Sequence, residues 1–149
     1  MNNHEIDYKI YGDDMQFVEV ELDPQETVIA EAGSFMMMDD DIHMETIFGD
    51  GSGNSGGGLM GKLFSAGKRV ITGENLFMTA FTNQGHGKKH VSFASPYPGK
   101  IIPMDLSELG GKVICQKDAF LAAAKGVSVG IEFQRKIGAG FFGGEGFIM

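Results

Sequence analysis

The chain has 149 residues and a mass of 16.0 kDa, which suits one compact domain or two small ones and excludes a large multidomain enzyme. Its 20 acidic and 12 basic side chains give a net charge of −8, which disfavours a protein that coats nucleic acid through uniform positive charge. A single cysteine, Cys115, excludes an internal disulfide framework and favours a reducing, cytoplasmic location. The longest apolar run, residues 119–124, is too short to cross a membrane.

The charges are divided unevenly along the chain. Residues 1–58 carry 14 acids and one base, for a net charge of −13, whereas residues 59–149 carry 6 acids and 11 bases, for a net charge of +5. Such a division would steer the acidic part of one subunit onto the basic part of another in a head-to-tail assembly. Two separately solvated surfaces are an equally good interpretation.

An internal repeat is visible in the apolar positions. Residues 28–36 match residues 113–121 at an offset of 85, and residues 18–22 match residues 102–106 at an offset of 84. Residues 73–78 match residues 144–149 at an offset of 71, so the first copy holds about 14 extra residues in a flexible glycine-rich stretch. This pattern predicts a first β repeat over residues 1–101, with a glycine-rich insertion at 49–69, and a second, incomplete β repeat over residues 102–149. We therefore expect a longer protein or a second chain to complete the second copy.

Short alternating runs bounded by glycine, proline and aspartate predict strands along most of the chain. The predicted strands cover residues 17–22, 27–32, 34–38, 42–48, 76–82, 90–95, 100–106, 112–116, 127–133 and 146–149. One short helix is predicted at residues 59–68, inside the inserted loop, because its apolar residues share a face. The predicted fold class is all-β, built from internally repeated short double-stranded β-helix or β-sandwich units.

Several segments resemble the altered-inheritance-of-mitochondria family of largely uncharacterised proteins. The resemblance lies in residues 31–36, 73–78, 98–101, 105–106 and 143–147 and extends from about Phe17 to the last residue. It implies a fold similar to that of the tryptophan RNA-binding attenuation protein, with three repeats in each chain and three chains in a ring. A third repeat would then follow the second. The family has no accepted catalytic residues, so the resemblance assigns none to this chain.

None of the sequence patterns indicates catalytic or metal-binding chemistry. Residues 56–62 fit part of a phosphate-binding loop, but Leu63 stands where the loop needs a serine or threonine for magnesium. The acids at 39–41 lack the glycine and glutamate spacing of a calcium loop. His86 and His90 have the spacing of ligands on a helix, but the glycines around them disfavour a helix. We expect no enzymatic activity, no cofactor and no bound metal.

The candidate interaction residues fall into three groups. The methionines Met36, Met37 and Met38 predict core packing together with a subunit interface, and an apolar ligand site is the second interpretation. The apolar and basic residues of the inserted loop would contact the β core or, weakly, an anionic membrane surface; they are Leu63, Phe64, Lys68 and Arg69. A basic loop at Lys88 and Lys89 is the candidate for RNA, although the acidic net charge makes nucleic acid a poor partner. The favoured function is a homo-oligomeric scaffold or binding protein, the expected oligomer being a trimer. The alternatives are an RNA-binding ring and a membrane-surface organising protein.

Overall fold

A computed structural model describes residues 5–48, 77–132 and 147–148. Eleven strands follow one another there: β1 Asp7–Gly12, β2 Gln16–Leu22, β3 Thr27–Glu31, β4 Phe35–Met38, β5 Ile42–Phe48, β6 Phe77–Asn83, β7 Lys89–Ala94, β8 Cys115–Gln116, β9 Ala122–Ala124, β10 Ile131–Glu132 and β11 Phe147–Ile148. The helical structure in these ranges is one 3-10 turn at Lys117–Ala119, so the fold class is all-β as predicted. Within the described ranges, no helix has the length and apolar character needed to cross a membrane.

The strands form two four-stranded antiparallel sheets and one small sheet. Sheet 1 has the order β1-β2-β7-β4, and sheet 2 has the order β5-β6-β3-β9. The small sheet has the order β10-β11-β8 and is made of two-residue strands. In sheet 1 the alternating sequence of β2 buries Val18, Val20 and Leu22, which lie beside Phe93, Val91 and Lys89 of β7.

One hydrophobic core lies between sheet 1 and sheet 2. Sheet 1 contributes apolar side chains from β2 and β7, and sheet 2 contributes them from β3, β5 and β6. Its central side chain is Phe81 of β6, which is fully buried and lies edge-on to Phe93 with ring centroids 5.2 Å apart. Such a T-shaped pair is a favoured aromatic arrangement, and it joins the two sheets directly.

Sheet 2 is also covered on its other face. There Ile29 and Met78 pack with Val129 in a second, smaller core, against partly buried side chains of the 120–127 segment. Because β3 is covered on both faces, its residues Thr27 to Ala30 are all buried, as its continuous apolar sequence requires.

Several sequence predictions differ from the structure. The strand predicted at 100–106 is absent: residues 101–105 carry no strand pairing, and Pro103 in the middle of the run lacks the N–H that a ladder needs. The first strand, β1, is not among the predicted strands, although polar and apolar residues alternate from Asp7 to Ile10. The helix predicted at 59–68 and the whole insertion at 49–69 lie outside the described residues. The internal repeat and the division at residues 101 and 102 stay predictions.

Candidate interaction surface

An apolar edge strand is the most unusual surface feature of the described residues. We call β4, with Phe35, Met36, Met37 and Met38, the methionine strand. The three methionine side chains are 50%, 48% and 39% exposed, and that of Phe35 is 39% exposed. β4 is the last strand of sheet 1 and pairs within that sheet with β7 alone, so its other edge carries unpaired main-chain groups among the described residues. Within one subunit these methionines are not core residues, since each is at least 39% exposed. The predicted subunit interface stays a prediction.

The ladder of the methionine strand is interrupted by a bulge. Phe35 lies opposite Phe93 and Met37 opposite Ser92, so the register shifts by one residue at Met36. The ring of Phe35 stacks on that of Phe81, with centroids 5.3 Å apart. Phe35 therefore anchors the strand to the core, whereas the three methionines that follow are exposed.

Hydrogen bonds hold the start of the methionine strand. The main-chain N–H of Ser34 donates to the carbonyl of Glu31 over 3.1 Å, and the Ser34 hydroxyl donates to the same carbonyl over 2.8 Å. The N–H of Ala94 donates to the carbonyl of Ser34 over 2.9 Å. The Glu31 carboxylate accepts from the N–H of Gly33 over 2.8 Å. These bonds fix the turn from β3 to β4 against the end of β7.

Asp39 and His90 hold the other end of the strand. Each residue donates its main-chain N–H to the other. The N–H of Asp39 donates to the His90 carbonyl over 2.9 Å, and the N–H of His90 donates to Asp39 Oδ2 over 2.8 Å. The His90 Nδ1 atom lies 3.2 Å from Asp39 Oδ2, and its Nε2 atom lies 3.4 Å from Glu21 Oε2. The main-chain N–H of His90 lowers the pKa of Asp39, and the His90 ring adds to this effect.

The two lysines of the predicted basic loop form ion pairs with acids of the same chain. Lys88 pairs with Glu21 of β2, and this contact raises the pKa of Lys88 and lowers that of Glu21. Lys89 pairs with Asp40 and lies 3.4 Å from Asp41, and the hydrogen bond to Asp40 raises the pKa of Lys89. These contacts pair two of the bases of residues 59–149 with acids of residues 1–58 within one subunit.

A shallow depression of about 220 Å³ lies on sheet 1, toward the edge opposite the methionine strand. Its lining is mostly charged and comes from β1, β2 and β7: Asp7, Tyr8, Lys9, Glu19, Glu21 and His90. Two of these side chains already have partners, since Glu21 contacts both His90 and Lys88. Among the described residues, no group of three or more histidine, cysteine, aspartate or glutamate side chains is arranged to hold a metal ion.

Comparison with known proteins places this chain in a family. The family model described as Mitochondrial biogenesis AIM24 matches residues 8–149. The chain belongs to the AIM24 family. An uncharacterised protein of Streptococcus pyogenes serotype M6 is 33% identical to it over 141 residues, which cover 91% of the AIM24 chain described here and 52% of that relative. The chain thus spans about half the length of this curated relative.

A solved structure shares the fold. The crystal structure of a Streptococcus pyogenes protein superposes with a TM-score of 0.64 at 22% sequence identity, covering 97% of this AIM24 chain and 59% of that protein. At this identity the likeness supports the all-β fold alone. The expected likeness to the tryptophan RNA-binding attenuation protein stays a prediction.

The structure brings together only some of the residues that the sequence singled out. Met38 ends the strand that leads into the Asp39–Asp41 turn, and Lys89 pairs with that turn, so these two candidates lie at one end of sheet 1. Lys88 lies apart from the turn, on Glu21. The candidates in the inserted loop lie outside the described residues: Leu63, Phe64, Lys68 and Arg69.

Sequence reasoning missed the partners that support this surface. The sequence suggests His90 only through its spacing from His86, as a metal ligand. Its contacts with Asp39 and Glu21 have no local sequence signal, because these acids are 51 and 69 residues away. A second set of exposed apolar side chains carries no prediction of an interaction surface: Tyr97, Ile102, Met104, Leu109 and Ile114. Strands were predicted at Ile102, Met104 and Ile114, whereas Tyr97 and Leu109 lie between the predicted strands.

Proposed function

We propose that this AIM24 chain is a non-enzymatic scaffold or binding protein whose subunits associate with one another, and that the methionine strand is part of the contact. The observation that carries the proposal is a run of four consecutive exposed apolar side chains on an edge strand, with no charge among them. Exposed apolar patches on edge strands are typical of protein–protein contacts. A trimer, and a cytoplasmic location, are the further expectations of this proposal.

The other edges of the two main sheets are less suited to such a contact. β1 presents Asp7 and Lys9, and β5 presents His43 and Glu45, so both carry charges of the kind that protects an edge strand from pairing. β9 presents three half-buried alanines, which offer little side-chain surface. The methionine strand therefore combines accessibility with apolar character better than the other described edges.

The bulge at Met36 determines what kind of contact is expected. A displaced residue disrupts regular pairing along the free edge, so we expect side-chain packing between subunits in preference to one continuous sheet. Methionine suits this contact because its unbranched, polarisable side chain adapts to the partner's shape. The hydrogen bonds of Ser34 and Asp39 fix both ends of the strand, which lowers the entropy lost on association.

The ion pairs of Lys88 and Lys89 favour this proposal over an RNA-binding ring. A lysine that neutralises a carboxylate of its own chain must give up that contact before it can neutralise a phosphate. A membrane-surface role would depend on the inserted loop, which lies outside the described residues.

Native mass spectrometry and light scattering after size exclusion would test the proposal. The full chain is compared with Met37→Lys, which places a charge on the methionine strand, and with Met104→Lys, a control at a similarly exposed methionine outside any described strand. We expect the wild type and Met104→Lys to be oligomers, with trimer as the main species, and Met37→Lys to dissociate at equal concentration. A monomeric wild type, or an unchanged oligomer in folded Met37→Lys, would refute the proposed contact.

A further inference from the structure

We propose that the methionine strand is a site of reversible oxidation, at which a hydroperoxide converts Met36, Met37 or Met38 to the sulfoxide and thereby weakens subunit association. The modification needs the sulfur atoms to be accessible, as they are in the separate subunit. Its effect on association rests on the proposed function, and the experiment below separates the two.

The methionine strand holds three of the six exposed methionines of the described residues; the other three stand singly and are 65%, 52% and 55% exposed, namely Met15, Met44 and Met104. Three consecutive methionines are each at least 39% exposed, whereas Met78 of β6 is 1% exposed and lies in the second core. The bulge contributes to this exposure, because it removes Met36 from the regular ladder with β7. Methionine oxidation depends on access of the oxidant to the sulfur, so the same chain holds a reactive set and an internal control.

The reaction is a two-electron oxidation of the methionine sulfur by hydrogen peroxide. The thioether sulfur attacks the distal oxygen of hydrogen peroxide, the O–O bond breaks, and a sulfur–oxygen bond forms. The sulfur is oxidised to the sulfoxide, and the peroxide is reduced to one molecule of water. Methionine sulfoxide reductases reverse the change, with a thiol as the source of electrons.

The sulfoxide product is more polar than methionine, and an apolar contact depends on low polarity. A sulfoxide is polar and accepts hydrogen bonds, so burying it in an apolar interface without a donor costs free energy. Lys89, which lies at the end of the methionine strand, is already paired with Asp40 and Asp41. Oxidation of one or more of these methionines is therefore expected to favour the separate subunits.

The rate of modification is measured on the full chain treated with dilute hydrogen peroxide, at a protein concentration where the subunits are dissociated. Cleavage on the amino side of aspartate releases residues 23–38, a peptide whose methionines are the three in question. We expect them to oxidise on the order of tenfold faster than Met78, because burial limits access of peroxide to that sulfur. Equal rates would overturn the proposed site, whatever the oligomeric state.

The effect on association is measured by native mass spectrometry before oxidation, after oxidation, and after treatment with methionine sulfoxide reductases. The wild type is expected to dissociate on oxidation and to reassociate after reduction. The variant with Met36→Leu, Met37→Leu and Met38→Leu keeps the apolar strand and the other exposed methionines, and its association should resist peroxide. Dissociation of this variant to the same extent would overturn the proposal. A chain that is monomeric before any treatment would refute the proposed function and the effect on association, while the rates at the three sulfurs would still decide the modification site.

Discussion

The side-chain amide of Asn83 donates a hydrogen bond of 2.8 Å to the carbonyl oxygen of Leu22, which joins the end of β6 in sheet 2 to the end of β2 in sheet 1. The same amide nitrogen donates to the carbonyl of Gly87 over 2.7 Å, and the amide oxygen accepts from the N–H of Gly85 over 2.9 Å. Asn83 is fully buried, so these bonds replace the water that its polar atoms lose on folding. One side chain therefore fixes the turn before β7 and the approach of the two sheets at this end.

Replacing Asn83 by aspartate should destabilise the protein although the side chain keeps its shape. A carboxylate has no N–H to donate, so the carbonyls of Leu22 and Gly87 lose their partner and a charge is buried beside them. We expect the free energy of unfolding to fall by about 2–4 kcal/mol, since each unsatisfied buried group costs about 1–3 kcal/mol. Urea denaturation followed by circular dichroism measures this difference.

Gln84→Glu is the matched control for Asn83→Asp. It makes the same change from amide to acid at the next residue, which is exposed. We expect it to alter the free energy of unfolding by less than about 0.5 kcal/mol, as is usual for surface substitutions. Equal losses in the two variants would show that the added charge, and not the hydrogen bonds of Asn83, causes the effect.

Gly12 ends β1 and should not tolerate a side chain. Its φ angle is +92°, and a Cβ atom at this position would lie 2.2 Å from the carbonyl oxygen of Met15. Because main-chain atoms cannot yield without moving the turn into β2, Gly12→Ala combines strain with a steric clash. We expect a loss of about 1–3 kcal/mol in the free energy of unfolding, measured by chemical denaturation.

The control for this prediction is Gly87→Ala. A Cβ atom there meets no heavy atom within 4 Å, and its φ angle is not in the left-handed region. The main-chain carbonyl of Gly87 remains able to accept the hydrogen bond from Asn83. Because alanine restricts the unfolded chain, Gly87→Ala should leave the free energy of unfolding unchanged or raise it slightly. An equal loss in the two variants would show that the clash with Met15 is not what destabilises Gly12→Ala.

The sequence was most informative where side-chain alternation and burial coincide. The predicted strand at 17–22 is β2, whose period of two matches its alternating burial. The predicted strand at 42–48 is β5, although only Ile42 of its apolar residues up to Met44 is buried. The same criterion failed at 100–106, where alternating Ile102 and Met104 are exposed and no described strand pairs with them. An apolar period predicts a strand only when a neighbouring strand is available to complete its hydrogen bonds.

The candidate surface could be predicted in part. Three consecutive methionines are visible in the sequence, and their spacing on a strand requires that neighbours point to opposite faces. That β4 is an edge strand depends on the pairing of β7 with β2, which the local sequence does not reveal. The pairs that neutralise Lys88 and Lys89 join residues 67 and 49 positions apart, so local sequence carries no signal for them.

Because Asp39 contacts His90, we expect the unfolding temperature of the protein to depend on pH in the acidic range. The pKa of Asp39 is lowered from its ordinary value of 3.8, first by the main-chain N–H of His90 and then by its ring. A lowered pKa in the folded state stabilises the protein fully above the ordinary value, and this contribution disappears as the pH falls through the folded value. The unfolding temperature of the wild type should therefore exceed that of Asp39→Asn near neutral pH, and the gap should close as the pH is lowered below 3.8.

Asp39→Asn isolates this contribution because its amide oxygen still accepts from the N–H of His90, whereas its charge is lost. Asp14→Asn removes a charge from an exposed loop next to β2 and should lower the unfolding temperature little at any pH. Calorimetric scans of the three proteins from pH 7 to below the ordinary pKa of aspartate measure the gap at low and at moderate salt. Because Asp39 is about half exposed, salt should reduce the gap without removing it, since the main-chain hydrogen bond is less screened than the ion pair. A gap that stays constant as the carboxylates are protonated would mean that shape at position 39, and not its charge, holds the end of the methionine strand.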